Sequence, residues 1–424
     1  MILYYLLISG MPLARHPLWA EFLGELTVIK YVGLACVFYM VAHLVQRRTP
    51  LRFLETWQAR WFWGLTALST ISYLTIGSRS AIQISPLMNY ISFAVFFFIT
   101  VVVIDSRDRL HRVLLVTIGS MAFASLYVLR EWQKGGFAAA SRPGWVTGDP
   151  NYFTVSALVF LPMALYLRQV ARNRAERVFC TGCFLLTLLA IIAAASRGGF
   201  LGLLGEAAYF GLRSRRRAAV MMLAGVALFT VAVALPNSPL TRLLEPDRSD
   251  VESSDSRLRL WSIGMTGAWN HPLTGVGAGN FGLLTAGRED FVVAHNTYVE
   301  VAAELGFPGL FAFLAVLGTT FLSAGRIRRD AEHRGARFIA HVSQGVQAGL
   351  VGYAISAFFV SVQWQKFLWL LVFLSVSLGV VARHKAKKSA SRVTDPSAVF
   401  AERELTAYFG VDGSPRISGN RNPR

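Results

Sequence analysis

The stretch Val178–Ala195, VFCTGCFLLTLLAIIAAA, runs without a charge into Ser196-Arg197-Gly198-Gly199 and then into a second apolar run, Phe200–Leu212, FLGLLGEAAYFGL. An apolar helix of about 18–20 residues crosses the ~30 Å of hydrocarbon in a bilayer. The first run meets that length. The second is short for a span and carries Glu206, so its start is expected below the lipid surface or in a cavity. Runs of the same kind fall at about 1–13, 27–45, 61–77, 87–104, 113–130, 152–167, 178–195, 198–212, 218–235, 306–325, 338–361 and 367–382. The chain has 424 residues and is 54% hydrophobic, a membrane composition and not that of a soluble domain. The expected fold class is an all-α polytopic integral membrane protein with about twelve transmembrane helices. Met1–Leu13 lacks a basic n-region and a small-residue cleavage site, so it reads as a retained span.

The formal net charge is +18. In a soluble protein that charge would suggest nucleic acid; here it sits in the loops, where an excess of Lys and Arg marks the cytoplasmic side. The clusters are Arg47-Arg48 to Arg60, Arg107 to Arg112, Arg168 to Arg177, Arg213 to Arg217, Arg326 to Arg337 and Arg383 to Lys388. Counting spans off alternately puts all of them on one face, with both termini cytoplasmic. The division is then spans one to nine over 1–235, one long external segment over 236–305, the last spans over 306–382, and a polar tail over 383–424 read as mostly disordered. The three cysteines, Cys36, Cys180 and Cys183, all lie in apolar stretches, so no disulfide framework or zinc site is expected.

The external side holds the candidate chemistry. Asp255–Ala268, with Leu258, Leu260, Ile263 and Met265, has the pattern of an amphipathic helix resting on the membrane. His271-Pro272-Leu273-Thr274-Gly275-Val276-Gly277-Ala278-Gly279-Asn280-Phe281 is turn-rich, with backbone close to something. Its Gly-x-Gly-x-Gly part follows no strand, which argues against a dinucleotide site. A helix then begins at His295-Asn296-Thr297-Tyr298, with Glu300 and Glu304 on later turns, and Gly306 with Pro308 breaks it. His295 reads either as a helix-cap residue or as a base or hydrogen-bond donor near the membrane surface. Asn296 reads as a cap or as a substrate contact. His271, before a proline in a turn, reads as structural.

External arginines break the positive-inside pattern. Ser196-Arg197-Gly198-Gly199 places a guanidinium beside the free N–H groups of a helix start, an expected anion site. Arg257 and Arg259 either pair with Asp255 on the surface or join that grip. Arg79 lies in the short loop after Gly77. Lys134 and Arg142 precede Asp149-Pro150-Asn151, where Asn151 is read as a helix cap or as a substrate contact. No pair of external carboxylates stands out as a metal site.

Together these blocks resemble the O-antigen ligase and polymerase superfamily of bacterial envelope glycan enzymes. The resemblance rests on Ser196-Arg197-Gly198, Arg257 to Trp261, His271 to Phe281, and His295-Asn296-Thr297-Tyr298 on to Glu304-Leu305-Gly306-Phe307-Pro308-Gly309, in that order. It implies a GT-C type, metal-independent and inverting glycosyltransferase without a cofactor. It also implies an undecaprenyl-diphosphate-linked glycan as donor, a periplasmic site and a Gram-negative inner membrane. The acceptor is the lipid A core in ligases, another carrier-linked glycan in polymerases, and a protein hydroxyl in a third group. The polymerases' Arg-x10-Gly motif is absent from the external arginines, and there is one large external segment, which favours a ligase. On this reading Arg197, with Arg257 or Arg259, holds the diphosphate and His295 takes or orients the acceptor proton. Asn296, Arg79 and Asn151 are further substrate contacts. The contrasting class is an anion transporter, which usually shows two related halves that this chain lacks. Membrane lipid is the expected surrounding, and nucleic acid is not an expected partner.

Overall fold

Asp149 and Pro150 show how the sequence starts its helices. The Asp149 carboxylate accepts from the N–H groups of Asn151 (2.8 Å) and Tyr152 (3.4 Å), and Pro150 takes the first helical position, where no N–H is needed. Asn173 and Asn296 cap in the same way, through Glu176 and through Tyr298 and Val299. In the computed structural model, residues 1–13, 33–38, 41–42, 54–77, 86–134, 143–144, 149–213, 248–285 and 293–393 are described. They form α1 (Ile2–Gly10, followed by a short 3-10 turn), α2 (Trp57–Ile76), α3 (Pro86–Val103), α4 (Arg107–Lys134), α5 (Pro150–Gln169) and α6 (Arg174–Ala193). There follow α7 (Arg197–Arg213), α8 (Arg248–Asn270), α9 (Phe281–Leu284), α10 (Thr297–His333), α11 (Arg337–Ser356) and α12 (Lys366–Val393). No strand occurs among the described residues.

Six of these, α3, α4, α5, α6, α10 and the Lys366–Arg383 part of α12, are long and apolar enough to cross a membrane. Among the described residues the protein is all-helical, and the length and composition of these six helices are those of a multi-pass membrane protein. Helices also stand where spans were expected at 61–77, 198–212 and 338–361. The expected spans at 218–235 and, for the most part, 27–45 lie outside the described residues. Two expectations change. Helix α1 has 9 residues, about 14 Å at 1.5 Å per residue, and does not reach across the hydrocarbon. Helix α12 continues to Val393, past the boundary at 383 where the polar tail was placed; residues 394–424 lie outside the described residues.

Helix α5 is the axis of the bundle, with 83% of its apolar window buried. It packs on α4, α6, α7, α11 and α12. Small residues let the neighbours close in: a Cβ on Gly349 of α11 would lie 2.2 Å from the Val159 carbonyl oxygen, and one on Gly202 of α7 would meet the Ser356 hydroxyl at 2.1 Å. A second packing centre joins α2, α3 and α12 through Phe62, Phe93, Phe97, Trp369 and Phe373, with ring centroids 4.9–6.2 Å apart. At the arginine-rich end, polar side chains tie helices together. His111 of α4 meets Glu176 of α6 at 2.9 Å, and the Gln169 amide oxygen meets the His341 ring at 3.0 Å.

The His271–Phe281 loop is clamped onto α10 at its break. Gly306 has φ 66°, which only glycine adopts without strain, and Pro308 has no N–H. The loop supplies the donors that this break removes. Val276 N–H donates to the Ala303 carbonyl (2.8 Å), Gly277 N–H to the Glu304 carbonyl (3.0 Å), and Phe307 N–H donates back to the Pro272 carbonyl (2.9 Å). Gly275, at φ 63°, lies so close that a Cβ would meet the Glu304 carbonyl carbon at 2.3 Å. The expectation of backbone close to something is met, and the something is α10. Gly306→Ala should therefore lower Tm by several degrees, since strain of about 1–3 kcal/mol adds to a 2.6 Å contact with the Pro272 oxygen. Gly182→Ala, in a helix with nothing within 4 Å of the added Cβ, should leave Tm equal or higher. Thermal unfolding of both variants in one detergent checks the contrast.

Candidate functional site

The beginnings of α5, α7 and α10 and the turn after α11 are stitched together at one end of the bundle. Ser196, which caps α7 by accepting from Gly199 N–H (3.2 Å), donates its hydroxyl to the Asn151 side-chain oxygen of α5 (2.7 Å). Ser356 donates to the Gly198 carbonyl (3.1 Å), and Thr297 N–H to the carbonyl of the next residue, Ala357 (2.9 Å). The Thr297 hydroxyl donates to Val360 O (2.8 Å) and accepts from Val362 N–H (3.0 Å). The glycines after Arg197 permit this closeness: a Cβ on Gly199 would lie 2.0 Å from the Thr154 methyl, and one on Gly198 would lie 2.6 Å from Phe359 Cβ.

Arg197 is the first residue of α7, as its position after a cap requires. Its guanidinium charge adds to the positive end of the helix dipole. Helix α7 has 17 described residues, about 26 Å, up to Arg213, where the described stretch ends.

His295 stands outside α10, not as its first residue. Asn296 is the cap, accepting from Tyr298 N–H (2.9 Å) and Val299 N–H (3.1 Å). The Asn296 side-chain oxygen, expected either to cap or to bind substrate, is used by the cap. His295 itself has φ 51°, the left-handed region, and its flanks are pinned. Ala294 N–H donates to the Glu300 carboxylate (2.8 Å), which also accepts from Ser361 and from the Gln363 side-chain amide. Chain on both sides of His295 is thus fixed, and its imidazole is half-buried. Glu304 has the matching role for the loop, accepting from Phe281 N–H (3.3 Å).

Helix α8 brings Arg257 to this end. Leu260, Gly264 and Ala268, spaced four apart, face α10, where a Cβ on Gly264 would meet the Val299 methyl at 2.6 Å. The expected amphipathic helix exists and is longer than Asp255–Ala268, and its apolar side lies on α10 and α9 through Leu260, Phe281, Val299 and Ala303. Residues two apart on a helix point about 200° apart. Arg257 accordingly lies half-buried on the inner side and Arg259 is exposed. Burial holds the His295 imidazole below its ordinary pKa, the Arg257 guanidinium pushes it further down, and Asp149 acts in the opposite sense. Arg257, His295 and Asp149, from three separate parts of the chain, are therefore within electrostatic reach of one another. One turn past Arg257, the Trp261 indole N–H is buried without an acceptor among the described residues.

The remaining expected site residues are placed as follows. Arg79 and Arg142 lie outside the described residues. Asn151 is not the cap of α5; Asp149 is, and Asn151 instead receives the Ser196 hydroxyl. Lys134 pairs with Glu131 at 2.8 Å. His271 is exposed, and its carbonyl accepts from Gly275 N–H (2.9 Å). Among the described residues Glu206 has no ion-pair partner; its buried carboxyl lies against Gly352 of α11. Asp149 was overlooked, although Asp followed by Pro is a strong helix-start signal.

Residues 182–314 match the family model of the O-antigen ligases. That stretch contains Arg197, Arg257, His295 and the clamped loop, and the match supports the resemblance to the O-antigen ligase and polymerase superfamily. Members are glycosyltransferase-like enzymes of the O-antigen pathway, which supports an enzymatic role. No curated protein matches the chain.

His295 titration gives a direct check of the geometry. A lowered pKa leaves the imidazole neutral at pH 7 and protonated only on acidification. Arg257→Gln removes a charge that lowers it, so the histidine's midpoint should move to higher pH; Asp149→Asn should move it to lower pH. Histidine-selective NMR, with His295→Ala to assign the signal, reads both shifts; no movement in Arg257→Gln contradicts the arrangement.

Proposed function

We propose that this protein is an O-antigen ligase. It transfers a glycan from undecaprenyl diphosphate to the lipid A core at the periplasmic face of the inner membrane, with inversion and without a metal. The proposal includes a GT-C type bundle of about twelve spans with both termini cytoplasmic. The observation that carries it is a half-buried imidazole on a fixed stretch of backbone, within electrostatic reach of the half-buried Arg257, inside the segment that matches the O-antigen ligase family.

In the reaction, the bond between the sugar's anomeric carbon and the diphosphate oxygen breaks, and its electrons leave with the diphosphate. Arg197, backed by the α7 start, and Arg257 stabilise that growing negative charge, which is worth most where water is excluded. The acceptor hydroxyl oxygen attacks the anomeric carbon from the opposite face. His295, neutral at working pH, accepts its proton or orients it. Arg259, exposed on the far side of α8, has no part in the diphosphate contact.

Purified protein given a glycan-loaded undecaprenyl diphosphate and lipid A core should form glycan-linked core. Arg197→Ala and His295→Ala should each lower the rate by about 100-fold or more, and Arg259→Ala should change it little. Full transfer by either of the first two removes its assigned role. Longer carrier-linked glycan in place of core product identifies a polymerase.

A further inference from the structure

At the opposite end of the bundle from His295 lies a cavity of about 510 Å³. The start of α2, the end of α10, the start of α11 and the outer part of α12 enclose it. Its apolar wall is Ile327, Ala331, Ile339 and Ala382. Arg334 and Arg383 stand at the rim, both about half exposed, beside Asp330 at 3.8 Å and Glu55 at 3.5 Å. Those separations are longer than a charge-assisted hydrogen bond, so each guanidinium keeps donors for another anion. Lining it is Gln58, 1% exposed, whose side-chain oxygen has no hydrogen-bond partner among the described residues. A buried acceptor left unmatched costs about 1–3 kcal/mol, and a ligand that brings a donor recovers it. Trp57, 57% exposed and under the Arg60 guanidinium at 4.8 Å, is the kind of aromatic side chain enriched at lipid headgroups.

We propose that this cavity is a phospholipid site. The phosphate lies between Arg334 and Arg383, a donor of the headgroup reaches the Gln58 oxygen, and the first part of an acyl chain covers Ile327 and Ile339. The required chemistry is a phosphate joined to a hydrogen-bond donor. A glycerol hydroxyl and a primary ammonium both supply it; a trimethylated choline does not. The site shares no residue with the His295 end and is independent of the transfer reaction.

Native mass spectrometry of the full chain, taken from nanodiscs holding equal parts of phosphatidylglycerol, phosphatidylethanolamine and phosphatidylcholine, tests this. The wild type should retain phosphatidylglycerol, phosphatidylethanolamine or both about fivefold over phosphatidylcholine, the weight of one buried hydrogen bond; which one is retained tells hydroxyl from ammonium. Gln58→Leu should bring retention down to the phosphatidylcholine level, and Arg334→Gln with Arg383→Gln should lower all three. Gly379→Leu, which fills the cavity from α12, should displace every lipid and serves if Gln58→Leu does not fold. Equal retention of the three lipids by the wild type, or unchanged preference in Gln58→Leu or Gly379→Leu, overturns the site.

Discussion

Pro308 has no N–H, and the Glu304 carbonyl one turn back is left without its helical donor. In a membrane that orphan is costly unless another part of the chain satisfies it. The His271–Phe281 loop does so, and the rest of the site follows from that repair. The loop's backbone fills the carbonyls of Ala303 and Glu304 and takes Phe307 N–H in exchange. Its far side reaches α2: Ala278 N–H donates to the Ser72 hydroxyl (3.1 Å), and the Asn280 side chain donates to the Gly77 carbonyl (2.9 Å). Helix α8 ends directly before this loop, so docking the loop sets where α8 meets α10, and hence where Arg257 stands relative to His295.

The polar groups at this end divide by task. Glu300 and Glu304 are 4% and 3% exposed and spend their oxygens on holding backbone and side chains of other segments. That use leaves His295 and the arginines as the groups suited to a substrate. Low dielectric makes the division productive. A guanidinium near a departing diphosphate would act more strongly there than in water, and burial first, with the Arg257 charge second, holds the His295 imidazole below its ordinary pKa. In the proposed reaction Arg257 would have two effects of one sign: it would favour negative charge on the donor, and it disfavours positive charge on His295.

Much of this was legible in the sequence. Apolar runs placed the helices, because spanning helices must be long and uniformly apolar. Arg197 could be read as the start of a helix because the cap, the arginine and the glycines are local. The loop glycines announced close backbone, and Gly306 with Pro308 announced the break. What could not be read locally was the partner in each case. Glu300 meets Ser361 and Gln363, 61 and 63 residues away, and Ser196 meets Asn151, 45 residues away. The choice between Arg257 and Arg259 was open for the same reason, since it depends on which side of α8 lies on α10. The small-residue face Leu260, Gly264 and Ala268 carried that signal, as Arg257 shares its side. The cap reading of Asn151 fails because Asp149, with Pro150 at the first turn, is the better cap.

The central claim is that the arginines hold the donor's diphosphate while His295 serves the acceptor. The most direct measurement is the equilibrium affinity of purified variants for a polyprenyl diphosphate alone, with no acceptor present. The account expects Arg197→Ala and Arg257→Ala each to weaken binding by about tenfold or more, with His295→Ala binding as the wild type does. If His295→Ala loses the diphosphate and the arginine variants keep it, the division of the site is wrong.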